Sequence, residues 1–105
     1  MHRHAALFNA AVSKGDFGTF VETFAPDAIM RFVGAPAGPF VGREAIAAAY
    51  AQAPPDDTMS IIDVQAEGPS TARVRFAWTR GGTGAMTVSW RDDEVTDLTV
   101  EFDQS

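Results

Sequence analysis

The side chains of this 105-residue chain that could carry metal or phosphate chemistry are few. His2 and His4 form a His-x-His pair, but no third or fourth ligand stands near them in the sequence, as a metal site requires. The glycine-rich run Gly81–Gly84 has the composition of a phosphate loop, yet it joins two predicted strands, so no helix N-terminus follows it. Because cysteine is also absent, we expect no metal, no cofactor, no disulfide and no thiolate nucleophile.

Several charged residues have a structural interpretation. The acidic runs Asp56–Asp57 and Asp92–Glu94 lack the ligand spacing of a known calcium loop, so we interpret both as solvated turns. Arg31 is predicted on the outer side of a strand. There it would pair with an acid across a dimer interface or face water.

Five side chains could contact an organic ligand. The Tyr50 hydroxyl can donate a hydrogen bond to a ligand oxygen, or the ring can simply pack a helix. Trp78 and Trp90 can stack on a flat molecule, or they can fill the core. Met30 and Met86 suit an adaptable pocket wall, although methionine also fills gaps. Residue type alone leaves these alternatives open.

Apolar periodicity predicts the elements that would position these side chains. A helix is predicted over residues 4–14, a short second helix over 17–24, and a third over 42–52. A strand is predicted over 28–33, with Met30 and Phe32 on the same side. The inner faces of the three helices would carry Leu7, Phe8, Ala11, Val12, Phe17, Phe20, Val21, Phe24, Ile46 and Tyr50.

From residue 58 onward the pattern changes to period two. Strands are predicted over 59–67, 71–80, 85–91 and 95–103, and the turns between them are so short that neighbouring strands must be antiparallel. Helices followed by a four-strand meander indicate an α+β fold. The last three strands each have one apolar and one polar face, and the apolar faces carry Val74, Phe76, Trp78, Met86, Val88, Trp90, Leu98, Val100 and Phe102.

Composition limits the partners and the location. The length predicts a single domain over residues 1–105, and the hydrophobic content of 46% is that of a globular protein. A net charge of −6 without a basic stripe argues against nucleic acid and against an anionic membrane surface. The N-terminus lacks the apolar run of a signal peptide, which predicts a cytoplasmic location. Seven of the eight basic residues are arginine, as in many high-GC bacteria.

Three short motifs in a fixed order resemble those of a known superfamily. They are Lys14–Asp16 after the first helix, Phe24–Ala28 before the first strand, and Gly42–Ile46 opening the third helix. Together they resemble the NTF2-like superfamily, and within it the SnoaL-like and ketosteroid-isomerase-like branch. The resemblance implies a cone in which three N-terminal helices pack on a strongly curved, mostly antiparallel sheet around a pocket. It also implies a homodimer formed through the sheet.

The catalytic residues of that branch are not found at the matching positions. Ketosteroid isomerase uses an aspartate base with a tyrosine and a protonated aspartate as donors. The tyrosine aligns with Phe8, the base with Phe32, and the second acid with a position near Met86. Epoxide-hydrolase relatives need an Asp-Arg-Asp set inside the cone, but strand alternation places Arg73 and Arg75 on the other face. The isomerase mechanism therefore cannot be carried over.

These observations lead us to expect a domain that binds a small hydrophobic ligand and lacks the isomerase acids. One alternative is an isomerase, polyketide cyclase or dehydratase that uses Tyr50, Asn9 or an acid redirected by a β-bulge. Another is a non-catalytic dimerisation module whose interior is full. The predicted ligand-binding residues are Phe8, Met30, Phe32, Tyr50, Phe76, Trp78, Met86, Trp90, Leu98 and Phe102.

Overall fold

A computed structural model describes residues 2–33, 38–52 and 57–103, and of residues 2–5 it describes the backbone alone. The predicted loop over 34–39 and turn over 54–57 therefore lie largely outside the described residues, as do the side chains of His2 and His4. The elements are α1 (His2–Lys14), α2 (Gly18–Val21), β1 (Phe24–Val33), β2 (Phe40–Val41), α3 (Arg43–Gln52), β3 (Met59–Gly68), β4 (Thr71–Trp78), β5 (Thr83–Arg91) and β6 (Glu94–Phe102).

The six strands form one sheet in the order β2-β1-β6-β5-β4-β3. The predicted meander is present, since β3, β4, β5 and β6 pair in succession as antiparallel neighbours. Strand β1 pairs in parallel with β6, so the first strand meets the last. The two-residue strand β2, which was not predicted, pairs with Ile29 and Met30 of β1.

Gly15 and Asp16 end the first helix and cap the second, as their residue types predict. Gly15 follows α1 with a φ of +69°, and its N–H donates to the carbonyl oxygen of Ala11 at 2.8 Å. The Asp16 carboxylate then accepts a hydrogen bond from the N–H of Gly18 at 2.9 Å, at the first residue of α2. In α3, Ile46 and Tyr50 are both buried, as their four-residue spacing predicts.

Our expectation for the boundary between the second helix and the first strand was wrong. Phe24 belongs to β1 and not to the second helix, so β1 begins four residues before the predicted start at Ala28. Strand β6 pairs with the start of β1. Just before β1, the carbonyl oxygen of Thr23 accepts a hydrogen bond from the N–H of Val95 at 2.8 Å. Helix α3 follows the first strand in the chain, as predicted, and the short strand β2 lies between them.

The outer face of the sheet carries cross-strand ion pairs. Arg73 contacts Glu101 at 3.3 Å and Arg75 contacts Asp103 at 3.1 Å. A hydrogen bond from the Thr83 hydroxyl, with Arg75 nearby, holds the pKa of Asp103 below its usual range. All of these side chains are partly exposed, so each pair contributes little to stability. They show that the polar positions of these strands lie on the outer face of the sheet.

Arg31 also lies on the outer face, where about half of its side chain is exposed to water, one of its two predicted surroundings; its pairing with an acid across a dimer interface stays a prediction. Its guanidinium contacts Asp97 of the neighbouring strand within the same chain at 3.5 Å, with about half of each side chain exposed. Among the residues described, no three histidine, aspartate or glutamate side chains cluster closely enough to hold a metal ion. Nor does any described helix have the length and apolar character needed to span a bilayer.

Candidate functional site

A cavity of about 270 Å³ lies between the helices and the inner face of the sheet. Helix α1 contributes Phe8, α2 contributes Phe20 and α3 contributes Tyr50, while the remaining lining residues come from the strands. The strand residues that line it are Phe32, Met59, Phe76, Trp78, Met86, Leu98, Val100 and Phe102. The cavity is therefore built mainly from aromatic, methionine and aliphatic side chains.

The exposure of the lining side chains distinguishes a closed end from a mouth. Phe8, Phe20, Tyr50, Phe76, Met86 and Leu98 are buried and form the closed end. The other five lining residues keep some solvent exposure, and Phe102 keeps the most, at 41%. At this mouth the Phe102 ring stacks on that of Phe32, with the centroids 6.2 Å apart. The mouth therefore presents flat apolar surfaces to solvent.

Strand alternation gives the cavity its apolar lining. Phe76, Met86 and Leu98 face inward on the three central strands, while their chain neighbours face outward. The outward neighbours include Arg75 and Asp97, which make their ion pairs on the opposite face of the sheet. Among the described residues that line the cavity, none carries a carboxylate, an imidazole, an ammonium or a guanidinium group.

Four register shifts interrupt the pairing of the described strands, one in β1–β6, two in β3–β4 and one in β5–β6, and none brings an acid into the cavity wall. In β6 the register shifts between Val95 and Asp97, so that Val95 pairs with Trp90, and Val95 is buried. In β3 a shift between Ile61 and Asp63 leaves Asp63 paired with Arg75. The redirected acid that an enzymatic alternative would require is therefore not among the described residues of the cavity wall.

Tyr50 is the one ionisable residue among the described lining residues. Its ring stacks on that of Phe17 at 5.0 Å and meets the Phe20 ring edge-on at 5.4 Å. Its hydroxyl lies 3.6 Å from the sulfur of Met30, which is a weak acceptor. Burial raises the pKa of Tyr50 well above its ordinary value, so the hydroxyl keeps its proton throughout the physiological pH range.

Asn9, the other polar residue considered for proton transfer, has a structural role. Its side-chain nitrogen donates to the Met59 carbonyl oxygen at 2.8 Å, and its oxygen accepts from the Met59 N–H at 2.9 Å. Both polar atoms of the amide are therefore occupied in fastening the start of β3 to α1. A side chain held in this way is poorly placed to move a proton on a ligand.

The structure brings eight of the ten predicted site residues together around the cavity. Met30 is buried next to the Tyr50 hydroxyl but is not among the lining residues. Trp90 lies at the other end of the sheet, paired with Val95. Phe20, Met59 and Val100 line the cavity but were not predicted to do so. The alternation along β6 had placed Val100 on the apolar face of its strand, and the apolar spacing of the second helix had placed Phe20 on its inner face.

A second concavity, of about 880 Å³, is an open groove on the surface between α2 and α3. Its walls mix apolar residues with the charged side chains of Asp16, Glu22, Arg43 and Glu44. Tyr50 lines both spaces. We take the smaller cavity as the candidate site because it is more enclosed and more apolar, as ligand pockets usually are.

Comparison with known proteins identifies the architecture. The family model of the SnoaL-like domain matches residues 5–101. An NTF-2 like protein of unknown function from Burkholderia xenovorans LB400 superposes with a TM-score of 0.75 at 18% identity, covering 99% of this chain and 83% of that one. No curated protein matches the sequence.

Two further solved structures with a similar fold have names that state an enzymatic activity. A candidate ketosteroid isomerase from Kribbella flavida has a TM-score of 0.74 at 18% identity, covering 99% of this chain and 80% of that one. A candidate polyketide cyclase from Sinorhizobium meliloti has a TM-score of 0.70 at 22% identity and covers 93% of both chains. At these identities the likeness establishes the fold alone, which is α+β and NTF2-like, with six strands and three helices in the part of the chain that the structure describes.

Proposed function

Because this chain belongs to the SnoaL-like domain family, as the three sequence motifs indicated, we propose that it binds a small apolar molecule in the cavity. The observation that carries this proposal is the lining of the cavity. A space of about 270 Å³ is surrounded by eleven described residues, and none of them has a charged side chain. Such a surface favours apolar ligands, which gain from leaving water.

The presence of the space itself supports binding. Protein interiors are close-packed and leave few voids larger than a water molecule. An apolar cavity lowers stability because its walls lose contacts, so a bound apolar molecule would restore some of that stability. This favours a binding role over the alternative of a dimerisation module with a filled interior.

The same lining argues against the enzymatic alternative. General acid–base catalysis needs a group within hydrogen-bond reach of the reacting atom and with a pKa near the working pH. Tyr50 keeps its proton because burial raises its pKa, and both polar atoms of Asn9 bind the backbone of Met59. The neighbours named as an isomerase and a cyclase share the fold, and fold alone does not transfer activity.

A pair of substitutions on β6 tests the location of binding. Val100→Phe places a ring on the inner face and is expected to weaken binding at least about 10-fold, equivalent to about 1.4 kcal/mol. Thr99→Phe adds the same bulk to the outer face and is expected to leave affinity within about 2-fold. Isothermal titration calorimetry with terpenes, aromatic polyketides, steroids and the hydrocarbon tetralin provides the affinities.

Two results would count against the proposal. One is that no member of the panel binds the wild-type protein. The other is that Val100→Phe and Thr99→Phe weaken binding equally while both variants keep the wild-type melting temperature, since the ligand would then lie elsewhere.

A further inference from the structure

The size of the cavity limits what it can enclose. Pockets that take drug-sized molecules have volumes from about 300 Å³ upward, and this cavity has about 270 Å³. Its closed end is formed by buried side chains, which interdigitate and leave little freedom to expand. A compound of one or two rings suits this space, whereas a four-ring skeleton would have to project through the mouth.

The polar groups of the cavity wall further restrict which ligands of this size are favoured. The described lining residues that carry a polar side-chain group are Tyr50, with its hydroxyl, and Trp78, whose indole N–H can donate but not accept. The Tyr50 hydroxyl is buried, and among the described residues its one acceptor is the Met30 sulfur, at 3.6 Å. A buried donor without a good acceptor is unfavourable, so a ligand oxygen at this point would be stabilising.

The charge of a suitable ligand is also restricted. Arg43 lines the surface groove and donates to the Phe24 carbonyl oxygen at 3.3 Å, while Arg73 and Arg75 pair with acids on the outer face. None of these guanidinium groups is part of the cavity wall. A carboxylate or phenolate that entered the cavity would therefore be desolvated with no cation among the described lining residues to compensate it.

We infer that the cavity takes a neutral compound of one or two rings bearing a carbonyl oxygen, and that the Tyr50 hydroxyl donates a hydrogen bond to this oxygen. This inference rests on the proposed binding function and specifies its ligand class. Tyr50 acts here as a hydrogen-bond donor that fixes the orientation of the ligand, and no proton is transferred. Phe8 and Phe20 would flank the ring system on the helix side.

Four probes of related shape test the inference by calorimetry. They are α-tetralone, its hydrocarbon counterpart tetralin, the anion naphthoate, and a four-ring steroid ketone. Wild-type protein is expected to bind α-tetralone and tetralin, to bind naphthoate at least about 100-fold more weakly than α-tetralone, and not to enclose the steroid. Tyr50→Phe is expected to weaken α-tetralone about 10-fold and tetralin less than about 2-fold.

Trp78→Phe is the matched control, because it removes the indole N–H of another lining residue. It is expected to change the affinities for α-tetralone and tetralin by the same factor, so that their ratio stays that of the wild-type protein. Both variants are first checked for the wild-type melting temperature. If tetralin binds but Tyr50→Phe affects both probes equally, or if naphthoate binds as well as α-tetralone, the inference is overturned and the proposed function survives. If neither tetralin nor α-tetralone binds the wild-type protein, both fail together.

Discussion

Replacing Phe20 with alanine is expected to lower the free energy of unfolding by about 3–5 kcal/mol, the usual range for truncating a buried phenylalanine. The Phe20 side chain is 2% exposed. Its ring makes edge-on contacts with Phe8 at 5.5 Å, Phe24 at 5.5 Å and Tyr50 at 5.4 Å. The loss would be large because these three partners belong to three different elements of the fold.

The position of Phe20 adds to this effect. Helix α2 has four residues, too few for a helix to be stable by itself, so it depends on packing. The neighbouring exposed residue provides a matched control, since Thr19→Ala is expected to change stability by less than about 0.5 kcal/mol. Urea denaturation followed by circular dichroism measures both. A loss below about 1.5 kcal/mol for Phe20→Ala would show that α2 does not hold the helices to the sheet.

Gly84→Ala is expected to have the next largest effect, a destabilisation of about 3 kcal/mol. Gly84 lies on the inner face of β5, opposite Phe76. A Cβ atom at this position would lie 2.5 Å from the Glu101 carbonyl oxygen and 2.7 Å from the tip of the Phe76 ring. Overpacking is costly here because the nearer atom belongs to the backbone of a central strand and cannot move alone.

A second glycine in the same sheet is the control for Gly84→Ala. A Cβ atom on Gly68 would meet nothing within 4 Å, and this glycine is not in the left-handed region. Gly68→Ala is therefore expected to change the free energy of unfolding by less than about 0.5 kcal/mol. Because displacement of the Phe76 ring would narrow the cavity, Gly84→Ala is also expected to weaken ligand binding. Equal stability of the two variants would refute this account of the packing at β5.

The features that could be predicted from the sequence are those determined by neighbouring residues. Alternation along β4, β5 and β6 assigned the inner and outer faces because each side chain points opposite to the next. The short turns fixed the antiparallel meander. In contrast, the parallel pairing of β1 with β6 joins segments separated by about 70 residues, and no local pattern encodes it. Phe24 was assigned to a helix for the same reason, since its partner Val95 is distant in sequence.

The site residues also divide into those that the local sequence could predict and those that depend on long-range packing. Parity placed Phe76, Met86 and Leu98 on the inner face, and all three line the cavity. Parity could not say how far along a strand the cavity extends, so Trp90 was included although it lies at the opposite end of the sheet. The contact between the Tyr50 hydroxyl and Met30 depends on how α3 packs against β1, which neither segment specifies alone.

The most direct test of an apolar binding cavity uses the two tryptophans, because Trp78 lines the cavity and Trp90 does not. In the Trp90→Phe variant, whose fluorescence comes from Trp78, saturating α-tetralone or the tightest binder of the panel is expected to quench or shift the emission. In the Trp78→Phe variant, the emission of Trp90 is expected to remain unchanged under the same conditions. Unchanged Trp78 emission with every compound, or equal changes at both tryptophans, would contradict the account.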